Sequence, residues 1–154
     1  MKSRLTSTTG LLGMAAAACF LSASPLAAPA ADLKLEAQLI WGTNDSKSPN
    51  PAHRAAEAQV ARKLKRLPFK WSNYFEVNRQ RFSVSPSETK RAVMSKECAI
   101  NVAQAARGEV EVTFFGKGKQ VAKVTQALPK GELLVTGGEA PNFTAWFVVL
   151  KQVD

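Results

Sequence analysis

Three features of the sequence predict an α+β domain: an antiparallel β-sheet or two-layer β-sandwich with one amphipathic basic helix. A segment near residue 35 alternates apolar and polar side chains. A stretch opened by Pro51 repeats apolar residues every three or four positions, and the C-terminal third breaks into short apolar runs separated by Gly and Pro turns. Period two indicates strands, a spacing of three and four indicates a helix, and short turns between strands indicate antiparallel pairing.

The first 30 of the 154 residues read as a cleavable secretory signal. Lys2 and Arg4 form a basic start, an apolar run extends from Leu11 to Leu21, and Ala28-Pro29-Ala30 supplies the small-x-small pattern of a processing site. The run is shorter than the roughly 18 apolar residues that a membrane span needs, and Ser22, Ser24, Pro25 and Pro29 interrupt its far side. Cleavage near Ala30 is therefore expected, giving a periplasmic or secreted product. A lipoprotein formed through Cys19 is the weaker reading, because Ala16 stands where such sites favour Leu. Residues 31–154 then form a single β-rich domain, too short for two separate cores. Loss of Cys19 leaves Cys98 alone, so no internal disulfide is available. Cys98 alternates with Ile100 and Val102, which predicts a buried thiol acting as a small hydrophobe.

From residue 33 to 41, Leu33, Leu35, Ala37, Leu39 and Trp41 share one side and Lys34, Glu36 and Gln38 the other, as in a half-buried strand. Gly42 to Pro49 is a loop without apolar side chains. Asn50-Pro51 reads as a helix start, and Ala56, Val60, Leu64 and Leu67 make a narrow docking stripe that ends at Pro68. Phe69, Trp71, Tyr74, Phe75 and Phe82 follow closely. Residues 73–84 read as one or two strands, with a bulge or bend where alternation fails near Asn78 to Arg81. Short strands fit 89–95 and 98–104, with helix an alternative for Ala103 to Ala106. Strands at 109–115, 119–127, 132–136 and 143–153 follow, separated by turns at 116–118, 129–131 and 137–142. These predict an antiparallel meander. The last strand is apolar on both faces, so it belongs in the middle of a sheet covered on both sides.

No constellation of catalytic or metal-binding residues stands out, and no cofactor is expected. His53 is the only histidine and is expected on the surface in the first helical turn. Gly116-Lys117-Gly118-Lys119 lacks the spacing of a phosphate loop and joins two strands. Glu109 and Glu111 lie about 6.6 Å apart at strand spacing, but Val110, Val112 and Phe114 mark the opposite face as core. Asp45 offers one carboxylate among neutral loop oxygens, a weak calcium set. Asn44-Asp45-Ser46 and Asn142-Phe143-Thr144 match the N-glycosylation triplet.

Charge gives the main functional signal. Removal of the leader leaves a net charge of +7, and residues 51–91, with 10 basic and 3 acidic groups, account for all of it. The candidate binding residues are Arg62, Lys63, Lys65, Arg66, Lys70, Arg79 and Arg81, which lie among the aromatics. Cations attract polyanions, and neighbouring rings stack on ligands or sit at a lipid headgroup layer. The expected partner is an envelope protein, an anionic polymer or a membrane surface, with no sequence-specific nucleic acid recognition. Two further classes stay open. One is a small hydrolase of envelope polymers, and the other is a structural assembly subunit that oligomerises through sheet edges.

Several segments together resemble small uncharacterised secreted bacterial proteins. They are the strand from Leu35 to Trp41, a helix ending near Leu64-x-x-Leu67-Pro68-Phe69, the Tyr74-Phe75 strand and a C-terminal meander with a Gly137-Gly138 turn. The resemblance spans most of residues 31–154 and implies no activity or site residues.

Overall fold

The computed structural model describes residues 31–153, so the expected signal segment lies outside the described residues. The strands are β1 (Leu33–Thr43), β2 (Arg54–Ala55), β3 (Asn73–Val84), β4 (Thr89–Val93), β5 (Cys98–Gln104), β6 (Glu109–Gly116), β7 (Lys119–Ala127), β8 (Leu133–Ala140) and β9 (Thr144–Gln152). One helix, α1, spans Ala58–Arg66, and a single 3-10 turn covers Ala106–Gly108. One sheet has the order β2-β3-β1-β9-β8 and the other β4-β5-β6-β7. Every pairing is antiparallel. The α+β sandwich expected from the sequence is the fold, with α1 on the outer face of the five-stranded sheet as a third layer.

Two apolar clusters hold the layers together. Between the sheets, Leu35, Ala37, Leu39, Val148 and Leu150 meet Ile100, Val102, Val110, Val112 and Phe114. On the outer face of the first sheet, Ile40, Tyr74, Phe147 and Val149 receive Val60 and Leu64 of α1. β9 feeds both clusters from its two faces and lies between β1 and β8, the interior position predicted from its apolar character. Cys98 is half-buried rather than fully buried: it packs against the edge of the inter-sheet cluster, where desolvation pushes its thiol pKa up.

The C-terminal strands are not one meander. β6 and β7 form a hairpin in the second sheet, β8 and β9 form one in the first, and residues 128–132 cross between the sheets. Gly137 and Gly138 are not in a turn either: β8 runs through them, and the turn is Pro141-Asn142-Phe143. The reason is Phe147. A Cβ on Gly137 would lie 2.3 Å from Phe147 Cδ1 and 2.6 Å from the Trp146 carbonyl oxygen, so only glycine lets the ring lie against the strand. Phe69, Trp71 and Tyr74 complete the enclosure, with ring centroids 4.7, 5.8 and 6.0 Å from that of Phe147.

The helix starts later than the Asn50-Pro51 signal predicts. The Asn50 side chain accepts a hydrogen bond from the Ala52 N–H at 2.9 Å, and the His53 N–H donates to the Asn50 carbonyl at 3.1 Å. These bonds close a local turn instead of capping a helix, a competition typical of Asn. Arg54 and Ala55 then pair with Glu76 and Phe75 of β3, and α1 begins only after Glu57. His53 is therefore outside the helix. It is half-buried, with Nδ1 2.7 Å from Ser48 Oγ and its ring 6.2 Å from that of Trp41.

Candidate binding surface

β1 is the central strand, and the polar side predicted to face water is closed over. Glu36 and Gln38 are fully buried on the face toward α1. Strand register explains how a carboxylate is held there. Glu36 stands opposite Arg81 of β3 on one side and Lys151 of β9 on the other, so both neighbouring strands present a cation directly across from it. Arg81 Nε lies 2.6 Å from Glu36 Oε2, Lys151 Nζ lies 3.0 Å from Oε1, and Gln38 Nε2 donates to Oε1 at 2.8 Å. Arg79 Nη1 adds a contact at 3.3 Å.

The network extends to two further carboxylates. Glu57, immediately before α1, binds Arg79 at 2.5 Å and Lys151 at 2.9 Å. Glu76 receives Arg79 Nε at 3.1 Å and also pairs with its Nη2. Glu76 and Arg79 share a face, although three residues apart, because the β1–β3 register shifts between Leu39 and Ile40 and leaves Val77 as an extra residue. The irregularity expected near Asn78 to Arg81 is thus a bulge at Val77. Three carboxylates and three cations balance. The long stems of Arg79, Arg81 and Lys151 cover the polar face that a strand pattern alone would leave open.

These contacts set the protonation states. Burial by itself would raise the Glu36 carboxyl, but hydrogen bonds from Gln38, Arg81 and Lys151 outweigh it and hold the pKa at about 2. Glu57 is lowered mainly by its bond to Lys151. Lys151 is raised, since Glu57 and Glu36 outweigh the opposing effect of burial. Arg79 is likewise held protonated, chiefly by Glu76.

The seven cations singled out in the sequence divide into two groups. Arg79 and Arg81 belong to the network. Arg62, Lys65 and Arg66 are exposed, and their spacing of three and four places them on one helix face, opposite Val60 and Leu64. Lys63 is half-buried at the edge of that face. Lys70 is exposed on the α1–β3 connection, at the rim of a cleft of about 180 Å3 lined by Phe69, Trp71, Gly137, Gly138, Glu139 and Phe147. Among the described residues, no carboxylate forms an ion pair with Arg62, Lys63, Lys65, Arg66 or Lys70. α1 itself contains no acidic residue.

The other groups weighed in the sequence are dispersed. Glu111 pairs with Lys123 at 3.0 Å on the outer face of the second sheet, and Glu109 is on the same strand. Asp45 lies in a loop tied by Asn73 Nδ2, which donates to its carbonyl at 3.0 Å, while Asn44 Oδ1 accepts from the Ser72 N–H. No group of three or more potential metal ligands occurs among the described residues. Lys117 and Gly118 both take positive φ, as a tight hairpin turn requires.

Fold and surface thus define a two-sheet α+β sandwich with a helix that presents unpaired cations. Compared with known proteins, the chain matches no family model, no curated sequence and no solved structure.

Proposed function

We propose that the chain is an exported, non-enzymatic binding module that engages an anionic surface of the cell envelope through the outward face of α1. The carrying observation is the segregation of charge. Arg62, Lys65 and Arg66 face away from the core without counter-ions, while Arg79, Arg81 and Lys151 on the same side of the sheet are paired with carboxylates. Uncompensated cations on one face create a local positive potential that attracts and orients polyanions. The carboxylates suited to acid–base work are committed to Arg79, Arg81 and Lys151, and His53, Asp45 and Glu109 stand on separate parts of the fold.

The test measures binding of residues 31–154 to dextran sulfate over a salt series. Affinity is expected to fall steeply with salt, and Arg62→Glu combined with Arg66→Glu should weaken binding by about tenfold or more at low salt. Binding that ignores both salt and the double substitution would refute the reading.

A further inference from the structure

Phe143 is the most exposed large apolar residue among those described, at 94% of its full accessibility. It sits at the tip of the β8–β9 hairpin with φ of 55°, next to Asn142 at 63°. The left-handed region suits Asn at the first of these positions, but a bulky ring at the second gains nothing locally and buries nothing. The tip is nevertheless fixed in place. Trp71 Nε1 donates to the Phe143 carbonyl at 2.7 Å, and Thr144 Oγ1 donates to the Pro141 carbonyl at 2.9 Å.

The same hydrogen bond brings the segment that carries Lys70 to the hairpin tip. Trp71 follows Lys70 directly, and Lys70 follows the cationic end of α1 at Arg66 by one short connection. The surface around the tip therefore combines a projecting apolar ring, a half-buried Trp and the exposed Lys70, with Glu139 as the carboxylate at the cleft. Interfacial anchors share this composition: an apolar group below the headgroups, an amphipathic indole at their level, and Lys or Arg among the phosphates. A nucleic acid base stacks on a ring lying in a groove. A single ring on a convex hairpin tip has instead the shape for insertion.

We infer that Phe143 is a membrane anchor, inserting the β8–β9 tip into the headgroup boundary of an anionic bilayer while Lys70, Arg66 and the outward cations of α1 engage lipid phosphates. The inference rests on the anionic-surface reading above and names the lipid bilayer as that surface.

The experiment compares residues 31–154 with Phe143→Asn and Phe143→Trp, using phosphatidylglycerol-containing vesicles, phosphatidylcholine vesicles and dextran sulfate. Wild type is expected to bind the anionic vesicles with a blue shift of tryptophan emission and to ignore phosphatidylcholine. Phe143→Asn should weaken vesicle binding by about 10- to 100-fold, the value of one buried aromatic side chain. It should leave dextran sulfate binding unchanged and the melting temperature equal or higher, because Asn tolerates the left-handed backbone. Phe143→Trp should retain vesicle binding. Equal vesicle binding by wild type and Phe143→Asn overturns the anchor. Binding to dextran sulfate but not to vesicles overturns the anchor alone, and binding to neither overturns the anionic-surface reading along with it.

Discussion

Replacing Glu36 with Gln keeps the shape of the side chain and removes the charge on which Arg81 and Lys151 converge from the two neighbouring strands. The cost follows from the structure by two routes. Holding the carboxyl at about 2, against an ordinary 4.5, corresponds to about 3 kcal/mol at neutral pH. Breaking one member out of a buried ion network costs about 3–5 kcal/mol in general. For a domain of about 120 residues, 3 kcal/mol lowers the melting temperature by about 10 °C. The dependence on pH is the sharper test. A carboxyl with a folded pKa below its unfolded one contributes full stability above the unfolded value and loses it as pH falls toward the folded value. The window here runs from about 4.5 down to about 2. Urea unfolding of wild type and Glu36→Gln should therefore show the full gap at pH 7 and less than half of it at pH 3. A melting temperature within 3 °C of wild type at pH 7 would refute the reasoning, as would a gap equally large at pH 3.

Two packing predictions follow from the helix layer and the Phe147 enclosure. Leu64 is fully buried between α1 and the five-stranded sheet, so Leu64→Ala should cost about 2–5 kcal/mol in urea unfolding, and a loss below about 1 kcal/mol would show that the helix is not docked there. Gly137→Ala places a Cβ against the immobile Trp146 carbonyl as well as the Phe147 ring, and should cost about 2–4 kcal/mol, whereas Gly138→Ala, with open space around its Cβ, should lie within about 1 kcal/mol of wild type. Equal effects at the two glycines would contradict the close approach.

What could be read from the sequence was local. The alternation of Leu33 to Trp41, the Val60–Leu64 stripe and the two-sided apolar run of β9 each depend on one segment, and each appears as expected. The polar face of β1 was misleading because its partners are remote: Arg81 lies 45 residues from Glu36 in sequence, and Lys151 belongs to the last strand. No pattern within residues 33–41 shows that three long cationic side chains will fold over that face. The helix start failed for a local reason, since Asn50 caps a turn as readily as it caps a helix. Gly137-Gly138 looked like a turn because glycine usually marks one. Here the cause is a ring ten residues further on. The crossing from β7 to β8 uses the same Pro and Gly residues as a hairpin, so only packing decides that the chain changes sheets.

The basic tract between residues 51 and 91 reads as one feature in sequence and serves two purposes in the fold. Arg79 and Arg81, together with Lys151, balance Glu36, Glu57 and Glu76, so each of these cations has a carboxylate partner. Glu57 is the residue that opens α1, and its bonds to Arg79 and Lys151 tie the start of the helix to β3 and β9. A carboxylate there also complements the positive end of the helix dipole. Val60 and Leu64 then fix the rotation of the helix about its own axis, which leaves Arg62, Lys65 and Arg66 no direction but outward. The paired arginines thus help to determine where the unpaired cations point, and the orientation of the proposed binding face depends on the charge network that ties down the start of α1.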